Sequence, residues 1–277
     1  MKHIVYALLV CLSALAASCS SDAGRKKQIL TVSIEPMRLI AEQLAAGNFE
    51  VHTLTPSGSS PETYQPTPRQ MELLRNSAAY IRVGTLGFER TQLRKMTESI
   101  PHLHIVNASQ RIKHLPAGDG CDPHTWTSVR NIKIIATNIC DALCDLDTLN
   151  RAKHIAKLYD FMESVDSLDR EIRTMLADVR QRTFLIYHPS LSYFAYEYGF
   201  EQLYVEDEGK EPSAERIARL IDECRKKRVK VVFVQKGYNT STARRMAEEI
   251  GAEVTEINPL GYDWPAEMMK IAKALAK

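Results

Sequence analysis

Three side chains able to bind a metal ion stand in short turns of this 277-residue chain. Glu62 lies in Gly58-Ser59-Ser60-Pro61-Glu62-Thr63-Tyr64, His124 in Asp122-Pro123-His124-Thr125-Trp126, and His188 in Tyr187-His188-Pro189. Each turn falls between an apolar run and a helix-like stretch. The three donors are too far apart in sequence to form a local finger. An ion shared by them must tie separate parts of the fold together, as a binding cleft does. One carboxylate and two imidazoles suit Zn²⁺, which takes four N, O or S ligands. They also allow Mn²⁺ or Fe²⁺ if water or a bidentate carboxylate expands the shell.

The elements that must position these turns alternate along the chain. Strand-like runs are Ile29 to Ile34, Phe49 to Thr55, Ala79 to Val83 and His102 to Asn107, then Thr183 to Tyr187, Gln202 to Val205, Lys230 to Val234 and Glu253 to Ile257. Helical patterns follow nearly every one, among them Met37 to Ala46, Ser128 to Leu146, Ala214 to Lys227 and Pro265 to Ala276. Such alternation predicts an α/β fold with parallel sheets, here in two similar halves. Between them Asn150 to Gln181 contains no Gly or Pro. Its apolar residues Ile155, Leu158, Met162, Val165, Leu168, Ile172, Met175 and Val179 recur every three or four positions. That spacing predicts one amphipathic helix of about 45 Å at the usual rise, a spine joining two lobes. Open α/β sheets bind ligands at the carboxyl ends of their strands. Glu62 and His188 follow strands and His124 precedes a helix, while Gln235 and Asn258 each end one. A site between the lobes follows, with Asn258 or Gln235 as a further donor from the second half.

The amino terminus addresses the location. Met1-Lys2-His3 is a basic start and Ile4 to Ala17 is mostly apolar, too short to span a bilayer but suited to a secretory signal. Ala16-Ala17-Ser18-Cys19 resembles a bacterial lipobox, with Cys19 as the lipidated residue. The expected division is signal peptide 1–18, lipidated tether 19–28, first βα lobe 29–149, linking helix 150–181 and second βα lobe 182–277. Loss of residues 1–18 removes Lys2 and no acid, so the mature charge is +1. A balance this even gives no electrostatic footprint for nucleic acid. Cys121, Cys140, Cys144 and Cys224 show no zinc-finger or redox spacing, and Cys140 and Cys144 read as buried small hydrophobes.

The chain from about Ile29 to Ala276 resembles the solute-binding lipoproteins of zinc and manganese ABC transporters. The resemblance is carried by the Pro56-to-Pro66 turn, Asp122-Pro123-His124-Thr125-Trp126 and His188-Pro189 with Tyr193-Phe194 and Tyr198-Gly199. Glu211-Pro212-Ser213 and Asn258-Pro259-Leu260-Gly261 add to it. It implies two βα lobes joined by a long helix, a metal held between them, and delivery of that metal to an ABC permease. It also implies a monomer, lipid-anchored in the cell envelope and facing the periplasm or cell exterior. His124 and His188 stand where the family pattern expects them. Glu62 replaces the family's usual His, and Asn258 its usual Asp, so the ligand charge stays at minus one while the carboxylate changes lobe.

Other readings are narrower. His52, His102, His104 and His114 carry no third partner by spacing, and Cys121 reads as structural. A metal-dependent hydrolase could use a Glu/His/His zinc site with one open position, but no His-Glu-x-x-His helix or Gly-x-Ser-x-Gly elbow occurs. A two-lobed binder of a chelated metal would present a pocket rich in aromatics or arginines. The expectation is therefore a binder and not an enzyme, with zinc as cargo ahead of manganese or iron.

Overall fold

The computed structural model describes residues 27–56, 58–118, 120–206, 212–238 and 240–277. The signal, Cys19 and nearly all of the tether therefore lie outside the described residues, as does Glu211. Among the described residues ten strands are interleaved with helices. The first sheet contains β1 (Gln28–Val32), β2 (Phe49–Thr53), β3 (Ser77–Arg82) and β4 (His104–Asn107), all parallel, in the order β2-β1-β3-β4. A two-stranded antiparallel hairpin, β5 (Pro116–Ala117) and β6 (Gly120–Cys121), follows. The second sheet contains β7 (Thr183–Ile186), β8 (Glu201–Tyr204), β9 (Val231–Gln235) and β10 (Glu253–Ile257), again parallel, in the order β10-β9-β7-β8. Counted within its own half, each sheet has the same winding, second-first-third-fourth. The halves are topological repeats, and each has a switch point between its first and third strands, where such sheets open a crevice.

Composition explains these strands. Thr183-Phe184-Leu185-Ile186 and Val231-Val232-Phe233-Val234-Gln235 are buried at every position, as central parallel strands covered on both faces require. The helices carry ordinary start signals. Thr67 caps Pro68–Arg75 in a reciprocal box with Gln70, Ser128 caps Val129–Leu146, and Ser213 caps Ala214–Lys226. Each satisfies backbone N–H groups that the first turn leaves without partners.

The long helix between the sheets spans Arg151–Leu176, about 39 Å at the usual rise, and so is shorter than the expected 150–181. It stops because the Arg182 guanidinium takes the carbonyls of Leu176 and Ala177. The buried face also departs from expectation. His154 and Phe161 join Val165, Ile172 and Leu176 against the core, while Ile155 is turned to solvent. His154 tolerates burial because its ring nitrogens meet the Leu44 carbonyl at 2.9 Å and Asp147 at 3.2 Å, the condition on which buried polar groups persist.

One apolar core runs from the first sheet through helices Val129–Leu146 and Arg151–Leu176 into Phe184, Phe233 and the last helix, Trp264–Leu275. Two indoles stitch the lobes behind the cleft. Trp126 donates to the Pro259 carbonyl at 2.8 Å, and Trp264 donates to the Trp126 carbonyl at 2.7 Å. Two short helices, Gly87–Thr91 and Leu93–Thr97, were not expected from periodicity, being too brief to show one. His102 falls outside β4, so His102 and His104 are not two positions of one strand. Among the described residues no helix is long and apolar enough to cross a membrane.

Candidate metal centre

His188 follows β7 directly, at the switch point of the second sheet. Its backbone is fixed by Gln235, the last residue of neighbouring β9. Gln235 accepts from the His188 N–H at 3.1 Å through Oε1, and its Nε2 donates to the His188 carbonyl at 2.5 Å and to Ser190 Oγ at 2.9 Å. The Gln235 amide is thus engaged at both ends by the turn it holds. His124 enters from the other half, in the loop between the β5–β6 hairpin and helix Val129–Leu146. Asp122 closes that loop by accepting from both the backbone N–H and ring Nδ1 of His124, each at 2.8 Å. Tyr193, from the second half, donates to the Asp122 carbonyl at 2.9 Å and so ties the hairpin across the cleft.

The two imidazoles meet tip to tip, Nε2 to Nε2, at 3.2 Å. Their far nitrogens are both spoken for, His124 Nδ1 by Asp122 and His188 Nδ1 by Glu206. Burial pushes the Asp122 carboxyl up, but the His124 hydrogen bonds, the attraction of that ring and the Ser192 hydroxyl together hold the group below the usual aspartate range. An ionised carboxylate accepts only, so Nδ1 of His124 is the donor. A cation between the rings would be met by the Nε2 lone pairs of neutral imidazoles. Nitrogen ligands about 2.05 Å from a tetrahedral zinc ion stand about 3.3 Å apart, close to the spacing here.

A small cavity of about 20 Å³ lies at this junction, lined by Glu62, His124, His188, Gln235 and Asn258 among others. It holds little more than one water-sized sphere. Tyr238 stacks on the His188 ring at 5.0 Å between centroids, and Trp126 tilts against His124 at 5.2 Å. Beside it a wider cleft of about 960 Å³ shares Glu62 and both histidines and opens outward past Pro116, Tyr196 and Tyr204.

Glu62 reaches the cavity from the loop after β2. Its Oε2 accepts from the Gly87 N–H at 3.0 Å, and its Oε1 is buried with no hydrogen-bond partner, an arrangement that leaves one oxygen free to bind. Gly87 is required there: a Cβ would lie 2.7 Å from Glu62 Oε2 and 2.5 Å from its backbone oxygen. The turn presenting Gly87 is held by buried Glu89, which accepts from Val83 N at 2.9 Å and Gly84 N at 2.6 Å. Gly237, with φ of +91°, lets the Glu62 loop press in, because a Cβ there would meet the Gly58 oxygen at 2.8 Å. Asn258 lines the cavity from the end of β10, its backbone N–H held by Glu267 at 2.9 Å.

The structure thus brings all five sequence-derived residues, Glu62, His124, His188, Gln235 and Asn258, to one cavity. Among the described residues no three His, Cys, Asp or Glu side chains converge tightly enough to hold an ion by themselves; the imidazole pair is the assembled part. His52, His102 and His114 are engaged elsewhere, against Glu50, the Arg75 carbonyl and Tyr193. Cys121 is half-buried, and Cys140, Cys144 and Cys224 are buried, all as free thiols. Glu206 was not found from sequence. It lies eighteen positions after His188, and its one signal is its place just beyond the carboxyl end of β8.

Comparison with known proteins gives a consistent likeness. The family model described as periplasmic zinc-uptake complex component A matches residues 30–277. The iron-binding protein YfeA of Yersinia pestis is 27% identical, over 90% of this chain and 82% of its own length. The manganese-binding lipoprotein MntA of Halalkalibacterium halodurans is 25% identical, over 92% of this chain and 88% of its own. A crystal structure of ZnuA superposes with a TM-score of 0.87 at 33% identity, covering 91% of this chain and 98% of that one.

Proposed function

The chain belongs to the periplasmic zinc-uptake complex component A family, and from that premise we propose that it captures a divalent transition metal outside the cytoplasm and delivers it to an ABC permease. Zinc is the cargo, with Glu62, His124, His188 and Asn258 as its ligands. The observation that carries this reading is the pair of carboxylate-backed imidazoles meeting at 3.2 Å. Asn258 is preferred to Gln235 because both ends of the Gln235 amide already serve the His188 turn. Residues 1–18 act as the signal peptide, Cys19 carries the lipid, and residues 19–28 tether two lobes, 29–149 and 182–277, to the membrane. Capture draws on both lobes, and release follows when the permease disturbs that shared geometry.

Metal analysis and calorimetry on the purified protein test this directly. One Zn²⁺ binds per chain and displaces Mn²⁺ and Fe²⁺ in competition. Displacement of zinc by manganese would reassign the cargo, and absence of any transition-metal binding would overturn the function.

Two further results are expected. Imidazole binds metal only in its neutral form, and free histidine protonates near ~6.5. Affinity therefore falls steeply between about pH 7.5 and about pH 5, with protons taken up as the ion leaves. A flat profile would contradict histidine ligation. Glu206→Gln, which keeps the shape but removes the charge behind His188, weakens zinc binding by about 10- to 100-fold with the melting temperature of the metal-free protein little changed. Unchanged affinity would reduce Glu206 to a packing role.

A further inference from the structure

The spine helix carries a second apolar stripe, facing away from the core. Ile155 is 38% exposed and Tyr159, one turn on, 71% exposed, while Leu149 just before the helix is 83% exposed. Ala152 and Ala156 continue the stripe at the surface. Arg151 and Lys153 flank its start, both exposed, while the exposed Asp160, paired with Lys157 at 3.0 Å, and Glu163 stand at its far end. The stripe begins where helix Val129–Leu146 ends, at the edge of the first lobe opposite the cleft. Gln28, the first residue of β1, donates to the Leu146 carbonyl there at 3.4 Å, so the chain enters the fold beside this surface.

Cys19 lies nine residues before Gln28, and a chain of that length reaches about 30 Å at most. A lipid on Cys19 would hold this end of the protein, and not the cleft, close to the bilayer. We propose that Leu149, Ile155 and Tyr159 rest in the interfacial region of an anionic phospholipid membrane, with Arg151 and Lys153 against headgroup phosphates. The inference rests on Cys19 being lipidated. Leucine and isoleucine gain by leaving water, tyrosine suits a boundary with one apolar and one wet side, and a short helix face of this composition seats a few ångströms into the headgroup layer. The contact lies on the far side of the fold from the cleft, leaving the cleft open for loading.

Brominated-lipid quenching of full-length, lipidated protein on vesicles of phosphatidylglycerol and phosphatidylcholine tests it. Trp126 and Trp264, each 1% exposed, give a protected baseline. Tyr159→Trp introduces a reporter on the stripe, and Tyr196→Trp one beside the cleft, where Tyr196 is 74% exposed. The expected result is loss of most of the added emission in Tyr159→Trp and little loss in Tyr196→Trp. Protein that floats with the vesicles but shows equal quenching at both positions overturns the membrane-facing stripe and leaves the anchor standing. Protein that does not float overturns the anchor and, with it, the stripe.

Discussion

His124→Ala lowers zinc affinity by more than about 100-fold, and His188→Ala does the same. The bound is set by the indirect case, since losing a residue that merely supports a ligand costs about 10- to 100-fold. Here a direct nitrogen disappears from a cavity of about 20 Å³, and the remaining imidazole keeps its position without a partner. The substitutions differ in their side effects. His124→Ala takes the ring donor from the buried Asp122 and leaves it the backbone N–H and Ser192, so the metal-free protein also melts earlier, because an under-satisfied buried carboxylate is destabilising. His188→Ala leaves Glu206 at the rim of the wide cleft, where water can replace the lost donor, and the melting temperature changes less. Calorimetric titration paired with thermal melts separates the two effects. Equal zinc affinity in wild type and both variants would remove the imidazole pair from the site.

Glu62→Gln costs more affinity than Asn258→Ala, because it removes charge together with an oxygen donor. One oxygen of Glu62 is occupied by Gly87 and the other is buried without a partner, so the carboxylate meets the ion already partly desolvated. Asn258 offers only a neutral amide. Glu62→His alone is expected to bind poorly, and Glu62→His with Asn258→Asp to recover, since the second change restores the negative charge from the opposite lobe. Affinities for wild type, both singles and the double form a cycle whose coupling is the decisive quantity. Strict additivity would mean that the two positions do not share an ion. Gln235 or water would then be the better fourth ligand.

The residues that line the cavity were legible because His, Glu, Gln and Asn stood in turns or at the ends of strand patterns, and the strands because β-branched runs recur between turn residues. What supports the donors was not. Glu206 meets His188 through the sheet, since β8 pairs beside β7, and no local spacing announces that. Gly87 and Glu89 sit on a five-residue helix too brief for a periodicity. The spine helix misled in a specific way. Its first turns carry apolar residues on two faces, so a count of spacings cannot choose between them. Burial went to His154 because Leu44 and Asp147 receive its ring nitrogens, and those partners lie on other elements. Gln235 read as a rival ligand because an amide at a strand end can serve an ion or a turn, and no spacing announces the hydrogen bonds it makes to the His188 turn.

The last helix has a consequence for how the chain matures. Trp264, Met268, Ile271 and Leu275 complete a core that begins at Leu30, and the Trp264 indole fastens onto the loop behind His124. Domains usually fold in the order they emerge from the ribosome, but this core is closed only by the twelve residues of helix Trp264–Leu275. Until they arrive, helices Val129–Leu146 and Arg151–Leu176 have an uncovered flank, and the chain lacks its finished tertiary lock.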